Sequence, residues 1–290
     1  IKRSWRYIAP LLARAPDELL IALANGVSWW LQSIAKTFEG REVLFFALAT
    51  RILKQDHQDE VDTEDPVMHA INHPVGHVTE AMLRWWYRKP LEDGQGLPNE
   101  LKPTFTELCD PKAEKSRHGR VLLAANVISL FRVDPEWATQ DLLPLFDWQR
   151  SEIEARAAWE GFLWSPRLYR PLMEVIKPAF LDTARHYASI GKHDGQYASL
   201  LTFAALDPGD TFTTAELATA TRALPSDGLH ETAQALVRTL EGAGDQRADY
   251  WKNRVAPYMH AIWPKTRGNA TPAIAKSFGR LCVAAQDAFP

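Results

Sequence analysis

His69, His73 and His77 recur every four residues, and Glu80 follows three residues later. On one continuous helix this spacing lines three imidazoles and a carboxylate along one face, the donor set of a zinc, manganese or iron hydrolase. Pro74 argues against that helix, because its ring disfavours helical geometry at His73. The expected structure is two helices meeting at a tight corner. His69 ends the first, His77 lies in the first turn of the second, and Asn72 or His73 serves as cap. The metal spacing then loses its meaning, and no metal ligand is assigned.

A second group, Lys112, Lys115, Arg117, His118 and Arg120, gathers beside Ser116. At a helix start such cations would hold phosphate through charge and free backbone donors, which makes a helical nucleic-acid binder a further alternative. A net charge of −3, with 33 Lys and Arg against 36 Asp and Glu, argues against a nucleic-acid coat. Glu152, Glu154, Glu160 and Glu174 are acid or base candidates that their spacing does not single out. The chain has no P-loop, no nucleotide-type glycine loop, no nucleophile elbow, no H-E-x-x-H and no C-x-x-C. No catalytic residue and no cofactor is therefore assigned.

Tryptophan is the compositional oddity: there are 11, against 7 tyrosines, and they include the doublets Trp29-Trp30 and Trp85-Trp86. Neighbours on a helix point about 100° apart, so one narrow buried face does not take both rings. One ring of each doublet is expected to face a partner or another layer. Trp85, Trp86, Trp159 and Trp164, with Arg167 and Arg170, are the expected partner-binding surface, since tryptophan and arginine dominate interface hot spots.

These residues must be positioned by helices. Apolar residues fall at steps of three and four almost throughout, most clearly over Pro16 to Phe38, and no period-two strand is evident. About a dozen helices are expected, the last running from Pro272 to Phe289. Asp134-Pro135, Thr271-Pro272 and Thr213 to Glu216 carry start signals. Pro144, Pro171, Pro178 and Pro257 are the expected kinks or breaks. With 290 residues, 46% hydrophobic and 24% charged, the chain has ample material for a core. The expected fold is all-α, an irregular HEAT-like α-solenoid, in which Trp137 to Trp164 is the sharpest helix pair.

Gln55 to Pro66 is dense in acid, with Asp56, Asp59, Glu60, Asp62, Glu64 and Asp65, and reads as a solvated loop. Lys89 to Pro103 carries three prolines and two glycines and reads as a helix-free connector. The expected division is an N-terminal layer, residues 1–103, and a main array, residues 104–290. Two cysteines, Cys109 and Cys282, give no disulfide framework and fit a reducing cytoplasm. No apolar run is long enough to span a membrane. The start at Ile1, without methionine or signal peptide, suggests a piece of a larger protein.

Two segments resemble a known family: Ile71-Asn72-His73-Pro74-Val75-Gly76 followed by Thr79-Glu80 and Trp85-Trp86, and Ala158 to Trp164 followed by Pro166-Arg167-Leu168 and Lys177 to Leu181. Together they are similar to the helical C-terminal region of large bacterial proteins with a sirtuin-like N-terminal part, associated with defence against phage. The resemblance implies an NAD-consuming domain upstream, with the helical region serving sensing, autoinhibition or assembly. No residue here inherits the enzymatic activity. The expected role is a non-catalytic scaffold that binds a protein partner or an adjoining effector domain, with oligomerisation open.

Overall fold

The computed structural model describes residues 2–57, 65–207, 209–266 and 271–285. All regular structure among them is helical, with no strand. None of their helices is long and apolar enough to cross a membrane. Most of the acidic stretch, residues 58–64, and the end of the last expected helix lie outside the described residues.

The chain forms two compact units, Ile1–Trp164 and Ser165–Pro290. The first contains α1 (Lys2–Arg14), α2 (Asp17–Ala22), α3 (Ala24–Ile34), α4 (Glu42–Lys54), α5 (Pro66–Asn72), α6 (Pro74–Trp86), α7 (Lys102–Cys109), α8 (Arg117–Ala125), α9 (Val127–Val133), α10 (Pro135–Trp137) and α11 (Glu152–Leu163). Here α6 packs against α3 and α8 against α11. The expected single helix from Pro16 to Phe38 is broken at Leu23, whose φ of −104° and ψ of 6° end α2 and start α3.

The corner at Pro74 forms as expected. His73 is the N-cap of α6, its Nδ1 accepting from the Val75 amide at 3.2 Å. Asn72 instead bonds back to the Met68 carbonyl. Gly76 makes the turn possible, because a Cβ there would sit 1.7 Å from the Ala70 carbonyl oxygen. Gly161 does the same for α11 on α8, where a Cβ would lie 2.4 Å from the Val121 oxygen.

The Lys89–Pro103 stretch is no boundary between units. Its backbone is sewn to the end of α9, with Gly94 N donating to Arg132 O and Gly96 N to Val133 O, both at 2.8 Å. Asp134 completes the seam. It caps α10 through the Trp137 amide at 3.1 Å and accepts from Leu97 N at 3.0 Å and from Lys102 Nζ at 2.9 Å. Sequence reading missed α7, whose lysine supplies that last contact.

Burial alone would raise the Asp134 carboxyl, but Lys102 and the two amides outweigh it and hold it below the usual carboxylate range. A folded value below the unfolded one means the stabilisation is present at neutral pH and fades as pH falls through about 4 and below. Asp134→Ala is expected to cost about 2 kcal/mol at pH 7. The gap to wild type in urea denaturation should narrow at pH 3; an unchanged gap would refute the ionic contribution.

Beyond α10, Pro144 has no N–H to offer the Gln140 carbonyl, and the chain leaves α-helical geometry. Ala138–Leu142 runs as a π turn and Leu143–Phe146 as a 3₁₀ turn, the bend expected at this proline.

The second unit comprises α12 (Arg170–Asp182), α13 (Tyr187–Ile190), α14 (Asp194–Leu206), α15 (Thr214–Ala223), α16 (Ser226–Gly242), α17 (Arg247–Tyr250), α18 (Ala256–Ala261) and α19 (Pro272–Ala285). Here α16 packs against both α14 and α19. Its core includes Phe180, Tyr197, Leu236, Leu240 and Tyr258, with Tyr197 Oη donating to Phe180 O at 2.7 Å. The start signals hold: Thr213 and Glu216 form a reciprocal capping box, and Thr271 Oγ1 accepts from Ile274 N. Pro171 and Pro257 sit in first turns, while Pro178 lies inside α12.

Candidate functional site

The N-terminal helices are positioned by aromatic rings. Trp30, Trp5, Phe38, Phe45, Phe46 and Trp85 follow one another at centroid separations of 5.7, 4.8, 5.0, 5.2 and 4.8 Å, linking α3, α1, α4 and α6. Trp5 Nε1 donates to Gly40 O at 3.2 Å, and Trp30 Nε1 to Ser4 Oγ at 3.3 Å. Arg88 lies 4.9 Å from the Phe38 ring centroid and donates to its carbonyl. Arg51 fixes the bend between α1 and α2, donating to the Ala13 and Ala15 carbonyls at 3.0 and 2.7 Å and pairing with Asp17.

With Trp5 and Ala9 buried on one side of α1, the opposite side presents Tyr7 (65% exposed) and Leu11 (69% exposed), and Ile8 is exposed on the flank between the two sides. The neighbouring helices add Leu19, Ile21, Trp29 (62% exposed) and Val43. Arg3, Arg6 and Arg14 on α1 are exposed, as are Lys36 and Arg41 in the turn between α3 and α4. Large exposed apolar side chains gathered on consecutive helices mark interaction surfaces. The first doublet thus divides as helix geometry requires, Trp29 outward and Trp30 onto the ring series. The sequence signal was present in Trp5, Tyr7, Ile8, Leu11 and Leu12, which are too many for one helical stripe.

The expected partner surface is not assembled. Trp86 and Trp159 are buried, the latter with Nε1 donating to Phe146 O at 3.0 Å, and neither offers a ring to a partner. Trp85 is half-buried against Phe46. Trp164 is exposed at the end of the first unit, and Arg167 is exposed in the second. Arg170 is engaged by Asp207 through two hydrogen bonds of 2.8 Å.

The histidine segment does not converge either. His77 is buried with Nδ1 3.1 Å from Ser28 Oγ, and burial pushes its pKa down against a hydrogen bond to the Ile71 backbone. Glu80 pairs with Arg84. His73 turns instead to His118, ring on ring at 4.0 Å, with His57 edge-on at 5.5 Å. Stacked faces do not aim nitrogen lone pairs at a common point. Among the described residues, no three His, Cys, Asp or Glu side chains are placed to hold a metal ion.

The basic cluster is divided between the interior and the surface. Arg120 is buried, and its Nε and Nη2 grip Glu154 at 2.7 and 2.8 Å while Nη1 donates to the Asp110 and Ala113 carbonyls, both at 2.9 Å. Lys115 Nζ donates to Lys54 O, and His118 is buried. A phosphate groove needs several cations facing solvent together, and here Arg120 and His118 are withdrawn while Lys112 and Lys115 remain exposed. Of the carboxylate candidates, Glu154 is consumed by Arg120 and Glu160 is buried, so neither is an accessible acid or base. Cys109 is buried and Cys282 half-exposed, both free thiols. Comparison of the chain with protein-family models, with curated proteins and with solved structures finds no match.

Proposed function

We propose that this chain is a non-catalytic helical recognition module, an irregular HEAT-like array whose α1–α3 face binds a protein partner. The exposure of Tyr7 and Leu11 on α1 and of Trp29 on α3 carries the reading. The internal engagement of Arg120, Glu154, Asp134 and His77 supports it, since these buried polar groups serve the fold. Helix pairs such as α8 with α11 and α14 with α16 support the array. The resemblance supports a setting in bacterial defence, in the cytoplasm, where the partner is an NAD-consuming effector domain that the module regulates.

The test uses this chain and a purified sirtuin-like domain of the resembled proteins in isothermal titration. Leu11→Glu and Trp29→Glu should each weaken association at least tenfold, with melting temperature within about 2 °C of wild type, as expected for exposed positions. Absence of binding by wild type, or equal binding by both variants, would overturn the assignment.

A further inference from the structure

A cleft of about 440 Å³ opens between the end of α7, the π turn and the start of α11. Its wall includes Cys109, Pro111, Pro144 and Leu145, and its polar rim includes Thr106 and Asp141. That volume falls within the range of small-molecule sites.

Most carboxylates around it are spoken for. Glu154 is held by Arg120, Asp147 accepts from the Gln149 amide and pairs with Arg150, and Asp110 accepts from the Lys112 amide. The Asp141 carboxylate makes no hydrogen bond or ion pair among the described residues. It sits on the Ala138–Leu142 π turn, a geometry that is uncommon and recurs at functional sites. Beside it, Cys109 is almost wholly buried yet lines the cleft. Burial and the nearby Asp141 charge push its thiol up, so at neutral pH this wall is an uncharged sulfur.

We propose that the cleft binds an alkylammonium ion, its charge on the Asp141 carboxylate and its methylene stem along Cys109, Pro144 and Leu145. An ammonium on a flexible stem suits this pairing of one unengaged carboxylate with an apolar wall. Burial, with Asp134 adding and Lys102 opposing, pushes the Asp141 carboxyl up, and a bound cation would bring it back down.

The chemistry is shared by a free aliphatic diamine and by a lysine side chain on a peptide. Both are titrated into isotope-labelled protein and followed by NMR, using 1,5-diaminopentane and an acetylated, amidated Gly-Lys-Gly tripeptide, with 1-pentanol as neutral control. Saturable shifts at Thr106, Cys109 and Asp141 with either amine support the site, and the tighter probe identifies the source. Asp141→Asn should weaken that binding at least tenfold. In wild type, saturation should lower the Asp141 pKa, a readout that survives if the variant fails to fold. Silence from both amines, binding of pentanol equal to the amines, undiminished binding by a folded Asp141→Asn, or an unmoved Asp141 pKa would each overturn the proposal.

Discussion

Gly76→Ala should abolish the cooperative unfolding of the first unit. The added methyl carbon would stand 1.7 Å from the Ala70 carbonyl oxygen, which is backbone and has no rotamer to change. Relief requires α5 and α6 to separate, and that separation disturbs the packing of α6 on α3. Ordinary overpacking costs about 1–3 kcal/mol, and a rigid overlap this deep exceeds it. Against a typical total of about 5–15 kcal/mol, such a loss leaves little folded protein. Gly26→Ala is the matched control: that helical glycine has nothing within 4 Å of its Cβ position. It should gain about 0.5–1 kcal/mol. Thermal unfolding by circular dichroism compares the two, and a Gly76→Ala melting curve within a few degrees of wild type would refute the close approach.

The second large effect is expected at the Arg120–Glu154 pair. Glu154→Leu leaves a buried guanidinium without its counter-charge, and Arg120→Met strands the carboxylate together with the Asp110 and Ala113 carbonyls. Breaking one partner of a buried pair costs about 3–5 kcal/mol. The double replacement should cost less than the sum of the singles, because no uncompensated charge remains. Urea denaturation of the four proteins closes the cycle; single variants within 1 kcal/mol of wild type would refute it. The pair ties the start of α11 to α8 and to the turn after α7, so amide exchange should accelerate in all three segments of either single variant.

Much of the local structure was legible. Thr213 with Glu216, Asp134 before Pro135 and Thr271 before Pro272 start helices where their side chains meet free amides, an interaction spanning three residues. Pro74 forced the corner that separates His69 from His77, again through neighbours in the chain. Leu23 was not legible as a break, because the apolar spacing on either side reads through it. Nor was α7, whose Lys102-Pro103 opening resembled the end of a loop.

The candidate site divides along the same line. That one ring of Trp29-Trp30 must turn outward follows from helix geometry alone, and Trp29 does so. That Trp86 and Trp159 are buried depends on helices distant in sequence. Arg120 read as part of a basic patch until the fold brought Glu154, 34 residues later, against it.

The amino-acid order by itself determined an all-helical chain, its caps and its proline corners, because those depend on contacts within about one turn. Only the tertiary structure decided which aromatic rings are covered, which charges are consumed and that the glycine-rich connector is stitched to α9. Burial of a side chain depends on which element packs over it, and that pairing is chosen by the summed fit of remote surfaces.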